Sequence, residues 1–424
     1  MGIAETMEYI HNVKWQSRKP GLERIEKLLD GLGNPHKSLK YVHVAGTNGK
    51  GSTCAYLASV LQEAGYRTGL FVSPYVVEFN ERIQFNGEYI SNDDLVRLVD
   101  EIRPVADAME DVPTEYEIIA AIAMKFYVYK ECDIVVLEVG MGGEFDATNI
   151  IDLPEAAAIA TIGYDHVNEL GPELTDIAQA KAGIIKGGDV IIYGGTEEVE
   201  GVFEKTCKER GANLIRADFS RISNQRESLE GLTFNLAPYG EVTLPLLGTY
   251  QPKNAVLATT TLEVLRNKGY NITDENIVNG LTNVYWPGRF EVLGTDPVFI
   301  LDGSHNPEAV EVTTNSLKRY FGDKKIVFII GAMADKDVDT MISFIAPLAK
   351  EFVACRPDYY RAMESAVLAE KLSSYNVPVY ASADFADAVT KAVSIAGSDG
   401  IVCTIGSLYF SNDLRLAYQS SFNG

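Results

Sequence analysis

Short apolar runs alternate with amphipathic segments along most of the chain, a pattern typical of strands that alternate with helices. The first unit is an apolar run at 41–44, a glycine-rich turn, and a helix that is expected to stop near Gly65. Further apolar runs follow at 69–72 and 134–137. The run at 134–137 has no polar position, as expected of a strand covered on both faces of a parallel sheet. The pattern therefore predicts an α/β protein.

A second alternation begins near residue 298 and predicts five strands joined by four helices. The expected strands are 298–301, 326–330, 352–354, 377–380 and 401–405. Five strands with four crossover helices make a complete doubly wound domain. We therefore predict a P-loop parallel-sheet domain over 1–292, a turn-rich linker at 293–297, and a smaller Rossmann-like domain over 298–424. The less helical segment 188–247 is expected to contain an antiparallel extension.

Composition and charge narrow the functional class. A length of 424 residues argues for two or three domains, and 46% apolar with 23% charged residues is typical of a globular chain. The net charge of −22 disfavours general binding to nucleic acid, so that partner is not expected. Five widely spaced cysteines and no apolar run of about 18 residues predict a cytoplasmic protein without disulfides or a membrane partner.

The strongest chemical signal is the segment AGTNGKGST at 45–53, between the first strand and the first helix. Glycines allow successive N–H groups and the helix N-terminus to face one anion, and Lys50 adds a positive charge for the outer phosphates. The spacing departs from the usual P-loop, because Gly51 separates the lysine from the serine. The segment predicts an ATP cradle made by Gly46, Thr47, Asn48, Gly49, Lys50, Gly51, Ser52 and Thr53.

A carboxylate follows the apolar strand at 134–137. Glu138 stands where P-loop proteins place a magnesium-binding acid, and a glycine-rich loop at 139–149 follows it directly. On its own an exposed acid at a strand end is an equally good reading. The glycine-rich loop favours a functional site, because loops of this kind usually shape one.

Eight ordered motifs, the first of which contains the cradle, resemble those of the folylpolyglutamate synthase and dihydrofolate synthase family within the Mur ligase superfamily. The resemblance extends from about Lys19 to Leu408. The motifs are HVAGTNGKGS at 43–52, SP at 73–74, NERI at 80–83, EVGMGG at 138–143, DH at 165–166, KAGIIK at 181–186, WPGR at 286–289 and LDGSHNP at 301–307. The resemblance implies an ATP-dependent ligase of folate biosynthesis that joins L-glutamate to a folate-type carboxylate, tetrahydrofolate polyglutamate or dihydropteroate, through an acyl phosphate.

The same resemblance implies roles for individual residues. Ser73, Glu138 and His166 would hold magnesium, with two ions expected, and Lys181 would be carbamylated and support the second ion. Lys181 and His305 are the implied catalytic residues, although a lone lysine is more often a solvated one. Further ATP contacts are implied for Asn254, Arg289 and Asp302.

The resemblance also implies residues for the folate and glutamate sides. Tyr116 and Phe145 also fit as packing residues, and this chain has Tyr75 and Tyr250 where the family usually has histidine. The implied substrate-binding residues are Pro20, Gly21, Arg82, Thr114, Glu115, Tyr116, Glu117, Phe145, Asp146, Ala147 and Lys336. The expected protein is a monomer that binds small molecules only.

Three other readings stay open at this point. A P-loop switch protein would share the cradle, but Asn267-Lys268 runs into Gly269 and does not form the guanine-specific Asn-Lys-x-Asp motif. A binding module would need neither Glu138 nor Lys181. A Mur-type ligase could also join an amino acid to a different carboxylate.

Overall fold

The computed structural model describes residues 2–12 and 21–422, which form two α/β units, each built on its own sheet. The larger sheet has eight strands in the order β4-β3-β2-β5-β1-β6-β7-β8, and only the pairs that involve β3 are antiparallel. Its strands are β1 Tyr41–Ala45, β2 Thr68–Phe71, β3 Ile83–Phe85, β4 Glu88–Tyr89, β5 Ile134–Glu138, β6 Ala156–Ile159, β7 Asp189–Ile192 and β8 Asn213–Arg216.

Helices cover both faces of this sheet, as the continuous apolar strands require. They are α1 Ile3–His11, α2 Glu23–Gly31, α3 Lys50–Glu63, α4 Asn92–Asp107, α5 Glu115–Tyr129, α6 Val167–Leu170, α7 Leu174–Ala182, α8 Glu197–Arg210, α9 Gln251–Asn267 and α10 Asp274–Thr282. One buried apolar cluster joins α3, α9 and α10 to the sheet, and a second joins α1, α2, α4 and α5 to its other face. None of the helices in the described ranges combines the length and apolar character that a bilayer crossing needs.

The segment 188–247 divides between two structures. Its first strand joins the parallel sheet as β7, and a 14-residue helix, α8, follows, although the pattern indicated little helix there. The antiparallel extension is confined to three strands, β9 Ile222–Ser228, β10 Gly231–Leu236 and β11 Gly240–Leu244. The apolar face of β10 packs into the same buried cluster as α3 and α9.

The second sheet has six strands in the order β12-β13-β17-β14-β15-β16. Its elements are β12 Glu291–Thr295, β13 Val298–Leu301, α11 Pro307–Phe321, β14 Ile326–Ile330, α12 Val338–Ile345, β15 Ala349–Ala354, α13 Ser365–Ser373, β16 Val379–Ala381, α14 Phe385–Ala396, β17 Ile401–Ile405 and α15 Ser411–Phe422. The doubly wound architecture expected here is present, with β12 and α15 added to the five strands and four helices.

The segment 293–297 lies inside the second unit and is not a linker in the structure. Glu291 pairs with Leu301 and Thr295 with Val298, so β12 and β13 form an antiparallel hairpin at the sheet edge. The chain therefore enters the second sheet at Glu291. The turn residues that suggested a boundary make a hairpin turn instead, because the same residue types serve both purposes.

The topology places the carboxyl ends of several strands at one cleft. In the first sheet, β1 has β5 on one side and β6 on the other, so the crossovers diverge at its end and leave a crevice. The loops after β1, β2, β5 and β6 meet the loops after β13 and β17 of the second unit. Any ligand in this crevice would contact both units.

Candidate functional site

One cleft between the two units collects most residues that the sequence predicted for phosphate, metal and catalysis. Thr53 does not line the cleft; it is buried in α3, where its N–H donates to the Gly49 carbonyl. The predicted residues that line the cleft are Gly46, Thr47, Asn48, Gly49, Lys50, Gly51, Ser52, Ser73, Glu138, His166, Lys181, Asn254, Arg289, Asp302 and His305.

The glycines of the cradle are required by its shape. Gly46 and Gly49 have φ values of 146° and 86°, in the region that other residues avoid. A Cβ at Gly49 would lie 2.7 Å from Asn254 Oδ1, and one at Gly51 would lie 2.8 Å from the Trp286 ring. The loop therefore curls tightly at the N-terminus of α3, where free N–H groups attract anions.

Two lysines converge on one carbonyl oxygen of this loop. Lys50 Nζ donates to Gly46 O at 3.0 Å, and Lys181 Nζ, which comes from α7, donates to the same oxygen at 3.0 Å. Lys181 is only 4% exposed. Burial, reinforced by the positive charge of Lys50, lowers the pKa of Lys181 to about 7. Near neutral pH, about half of the Lys181 amines are therefore uncharged.

Glu138 ends β5 as a buried carboxylate beside the cradle. Its Oε2 accepts a hydrogen bond from the Ser73 N–H at 3.1 Å. Burial raises the pKa of Glu138, while the charge of Lys50 opposes that shift. Carboxylate and hydroxyl oxygens are ligands that magnesium prefers, so Glu138 and Ser73 fit such an ion. Within 2–12 and 21–422 no three His, Cys, Asp or Glu side chains form a complete metal site.

His166 lies on the opposite wall of the cleft, beside Asp165. It has a φ of 51° and precedes α6. Burial lowers the pKa of His166 to about 4; the Asp165 charge acts in the opposite direction, and the positive charges of Lys336 and Lys50 lower the pKa further. A neutral imidazole has a free nitrogen lone pair, which a metal ligand needs. The structure thus presents His166 in the right protonation state, although imidazole is a softer ligand than magnesium usually takes.

Asp165 joins the two units electrostatically. Its carboxylate forms an ion pair with Lys336 and lies 3.6 Å from His305 Nε2. Burial alone would raise its pKa, but His305, His166 and Lys336 together hold the pKa of Asp165 far below its usual range. His305 Nδ1 is fixed by the Gly303 carbonyl at 2.9 Å. Lys336, predicted to bind substrate, is therefore engaged with Asp165.

Asn254, Arg289 and Asp302 also line the cleft. Asn254 Nδ2 donates to Gln251 Oε1 at 3.2 Å, and Gln251 Nε2 donates to Ser52 Oγ at 3.3 Å. Arg289 lines the cleft and donates to the Gly288 carbonyl. This chain of contacts ties the cradle to α9, so α9 helps to position the cradle.

The Asp302 carboxylate accepts hydrogen bonds from groups within the protein. It is 1% exposed, and its Oδ2 accepts from the Phe290 N–H at 2.8 Å. Its Oδ1 accepts from the Ser304 N–H at 3.0 Å and from Thr313 Oγ1 at 3.0 Å. The ribose contact implied by the sequence would have to compete with these bonds. In this structure Asp302 organises the loop that carries His305.

Two of the predicted folate residues build the N-terminus of α5. Thr114 and Glu117 form a reciprocal capping box, in which each side chain accepts a hydrogen bond from the other residue's N–H. Glu117 also accepts a hydrogen bond from Arg24 Nε at 3.1 Å in a partly buried ion pair. Glu115 contacts His11 at 3.0 Å. Thr114 and Glu117 are thus structural as well as candidate binding residues.

The other predicted folate residues lie around the loop after Glu138. A Cβ at Gly140 would lie 2.6 Å from the Tyr116 ring, which packs this loop against α5. Asp146 accepts from the Met141 N–H and caps the short turn that begins at Ala147. Phe145 is 57% exposed beside them. A further member, Gly21, precedes α2, and Pro20 lies outside the described residues.

The position of Arg82 explains why Tyr75 suits a place where the family usually has histidine. Its guanidinium lies 5.2 Å from the Tyr75 ring centroid and 5.6 Å from that of Phe79. A tyrosine face attracts this cation, whereas a protonated histidine at the same place would repel it. Tyr250, the second departure, immediately precedes α9 and lines the cleft with its ring packed on Gly248.

Sequence reasoning missed several polar residues at this site. Asn306 and Glu308 reach the cradle from α11, and Gln251 supports Ser52. Asp165 stood within a recognised motif but had no role assigned to it. Asn306 also carried a signal, since it precedes a proline at a helix start, but that signal is explained by capping alone.

The chain was also compared with known proteins. Residues 44–262 match the Mur ligase middle domain, and residues 288–408 match the Mur ligase glutamate ligase domain. A dihydrofolate synthase/folylpolyglutamate synthase of Bacillus subtilis is 36% identical over 423 residues, covering 97% of this chain and 98% of that protein. A folylpolyglutamate synthase of Lacticaseibacillus casei is 33% identical over 356 residues, covering 80% of this chain and 82% of that protein.

Two solved structures have the same overall fold. Mycobacterium tuberculosis folylpolyglutamate synthase complexed with ADP superposes with a TM-score of 0.90 at 28% identity, covering 98% of both chains. Escherichia coli FolC in complex with DHPP and ADP superposes with a TM-score of 0.87 at 28% identity, covering 99% of this chain and 98% of that chain.

Proposed function

The chain belongs to the dihydrofolate synthase/folylpolyglutamate synthase family, and from this premise we propose how its cleft performs the family's reaction. It is an ATP-dependent ligase that joins glutamate to a folate-type carboxylate. The observation that carries the proposal is the shared cleft, where Lys50 and Lys181 meet on the Gly46 carbonyl beside the buried Glu138.

The first chemical step activates the folate carboxylate. A carboxylate oxygen attacks the γ-phosphorus of ATP, the bond to the β,γ-bridging oxygen breaks, and ADP leaves with that electron pair. The Gly46–Ser52 amides and Lys50 hold the phosphates throughout, and Arg289, two residues before β12, approaches them. The product is an acyl phosphate, whose phosphate is a better leaving group than oxide.

The second step forms the amide. The amine of L-glutamate attacks the acyl carbon, inorganic phosphate leaves with the bonding electrons, and the amine nitrogen loses a proton. His305 is assigned to this side of the cleft because the Gly303 carbonyl fixes its ring beside Asp165. Closure of the second unit over the cleft excludes water that would otherwise hydrolyse the acyl phosphate.

Magnesium binding is assigned to Glu138, Ser73 and His166, with two ions in all. Bound magnesium would neutralise charge that develops on the transferred phosphoryl group. Glu138 suits this role because its burial cost is relieved when a cation arrives. Its Ser73 neighbour brings a hydroxyl to the same corner of the cleft.

Carbamylation of Lys181 is proposed because the family resemblance implies it, and the environment of the amine supports it. The neutral amine attacks the carbon of carbon dioxide, and a proton is lost as the carbamate forms. The pKa of about 7 makes the neutral amine available, and the product replaces a cation with an anion that has oxygen donors. Such a group suits the second magnesium ion.

The folate side is assigned to the region between α5 and the loop after Glu138. Tyr116, Phe145 and Ala147 would contact the ring system, and the Tyr75–Arg82 pair would close over it. The second unit supplies the glutamate side. We further assign a monomer that works in the cytoplasm on small molecules, without nucleic acid or a membrane, which its net charge of −22 favours.

The test is a ligation assay with ATP, magnesium, glutamate and a panel of carboxylates. ADP and the new amide are measured with dihydropteroate, with tetrahydrofolate and its polyglutamates, and with unrelated acids that Mur-type ligases use. Dihydropteroate or tetrahydrofolate should give one amide per ADP. Turnover only with an unrelated acid would favour the alternative Mur-type ligase. Light scattering of the same sample tests the monomer assignment.

A further inference from the structure

Asn48, in the middle of the phosphate cradle, turns its side chain toward the second unit. Its Nδ2 donates to Glu308 Oε2 at 2.7 Å and lies 3.4 Å from Asn306 Oδ1, while its Oδ1 accepts from Asn306 Nδ2 at 3.1 Å. These partners lie in the first turn of α11 or cap it, some 260 residues along the chain. The cradle is therefore in direct contact with the closing unit.

Asn306 joins this contact to a second residue of the first unit. Its Nδ2 also donates to Asp165 Oδ2 at 3.2 Å, and Asp165 carries the ion pair with Lys336. Its Oδ1 accepts the Ala309 N–H at 2.9 Å and so caps α11. Asn306 is 1% exposed. One buried amide thus donates to two residues across the interface, while its oxygen both caps its own helix and lies within reach of Asn48 Nδ2.

The interface is shaped for this close approach. A Cβ at Gly163 would lie 1.9 Å from Glu308 Oε2, so the first turn of α11 sits where a larger residue would block it. Thr47 Oγ1 donates to the Gly163 carbonyl at 3.1 Å and holds the same segment against the cradle. The hydrogen bonds from Asn48 and Asp165 to the start of α11 therefore require the cradle and the 161–166 loop to keep these relative positions.

We propose that Asn306 is a positioning residue that latches the second unit to the cradle through Asn48 and Asp165. The latch keeps water from the acyl phosphate until glutamate attacks. This inference rests on the proposed acyl phosphate route and names the contact that makes closure effective. Asn306 need not touch a substrate, because it acts on the distance between the cradle and His305.

A latch of this kind has a signature that a general structural role lacks. When the closed arrangement weakens, the first step still occurs, but the acyl phosphate is hydrolysed before glutamate reacts. ATP is then consumed without amide formation. Loss of a hydrogen bond to a charged group shifts such an equilibrium by about tenfold. The ratio of ADP to amide therefore reports the latch directly.

The decisive variant is Asn306→Asp. Aspartate caps a helix as well as asparagine does, so α11 keeps its cap. It has no N–H to donate to Asn48, and it places a second carboxylate beside Asp165. We expect the ratio of ADP to amide, measured with saturating folate and limiting glutamate, to rise by about tenfold, while the KM for ATP changes little.

A matched control comes from another cap in the same unit. Asp384 caps α14 by accepting from the Asp387 N–H at 2.8 Å, and it is exposed. Asp384→Asn makes the reverse exchange at a cap away from the first unit. Its ratio of ADP to amide should equal that of the unmodified protein. A rise in this control as large as in Asn306→Asp would overturn the proposal.

A second variant covers the case in which Asn306→Asp does not fold. Asn306→Ser keeps a capping oxygen but is too short to reach Asn48 or Asp165, and it adds no charge. An unchanged ratio in every folded Asn306 variant would refute the latch. If the unmodified protein forms no amide from any folate-type carboxylate, the proposed function fails instead, so the two failures are distinguishable.

Discussion

Lys181 offers a quantitative test, because its environment determines how much neutral amine is present. An ordinary lysine with a pKa of 10.5 is neutral in about 0.03% of molecules at pH 7. With a pKa lowered to about 7, roughly half of the Lys181 amines are neutral at that pH. The gain in carbamate-forming amine is therefore on the order of a thousandfold.

The pH dependence follows from the same pKa. At a fixed, limiting concentration of carbon dioxide, the neutral fraction falls about fivefold from pH 7 to pH 6 and rises less than about twofold from pH 7 to pH 8. Carbamylation should follow this curve. An exposed lysine would instead gain about tenfold for each pH unit up to pH 10.

The assay combines ¹³C NMR under labelled carbon dioxide with ligation rates in buffers freed of carbon dioxide and then resupplied. We expect a carbamate signal that disappears in Lys181→Met, and a large loss of ligation in that variant that a short carboxylic acid partly restores. Lys205→Met, at an exposed lysine of α8, is the control and should change neither. A fully active Lys181→Met variant, insensitive to carbon dioxide, would refute the reasoning.

The lowered pKa of Lys181 also predicts how the free energy of unfolding changes with pH. Its pKa is lower in the folded protein than in the unfolded chain, so the unfolded chain holds more protons between about pH 7 and pH 10.5. In the absence of carbon dioxide, the contribution of Lys181 to the free energy of unfolding should therefore increase with pH across that range. Lys181→Met should lose this contribution, as measured by denaturant unfolding at several pH values. An identical pH dependence in both proteins would contradict the buried-lysine assignment.

Four further substitutions separate binding, metal and structural roles. Lys50→Ala should abolish ATP binding, measured by calorimetry. Glu138→Gln should keep much of the ATP affinity but lose at least about a hundredfold in ligation rate. The same variant should raise the thermal stability of the ligand-free protein at pH 7, because it removes a buried carboxylate with a raised pKa. Gly49→Ala should weaken ATP binding, since its Cβ would lie 2.7 Å from Asn254 Oδ1 at a φ of 86°; equal affinity would contradict the tight cradle. Glu117→Ala should lower the free energy of unfolding by about 2 kcal/mol, because it removes the capping-box carboxylate of α5 and its ion pair with Arg24; a change in folate KM alone would assign it to binding.

The sequence by itself determined the local units of this protein. Continuous apolar runs specify buried parallel strands, so β1, β5 and the second alternation were predicted close to their observed bounds. The cradle is contiguous, and its glycines and Lys50 lie between a strand and a helix whatever the rest of the chain does. These features depend on neighbours a few residues apart, which a pattern can report.

Only the tertiary structure decided the features that depend on distant contacts. The lowered pKa of Lys181 arises because its amine is buried against Gly46, 135 positions away. The bridge from Asn48 to Asn306 spans 258 positions, and no local pattern marks it. The segment 293–297 has turn residues that suit a linker or a hairpin equally, and its pairing within the second sheet selects the hairpin. Burial and long-range pairing depend on residues that are distant in the sequence, so a local pattern does not reveal their free energies.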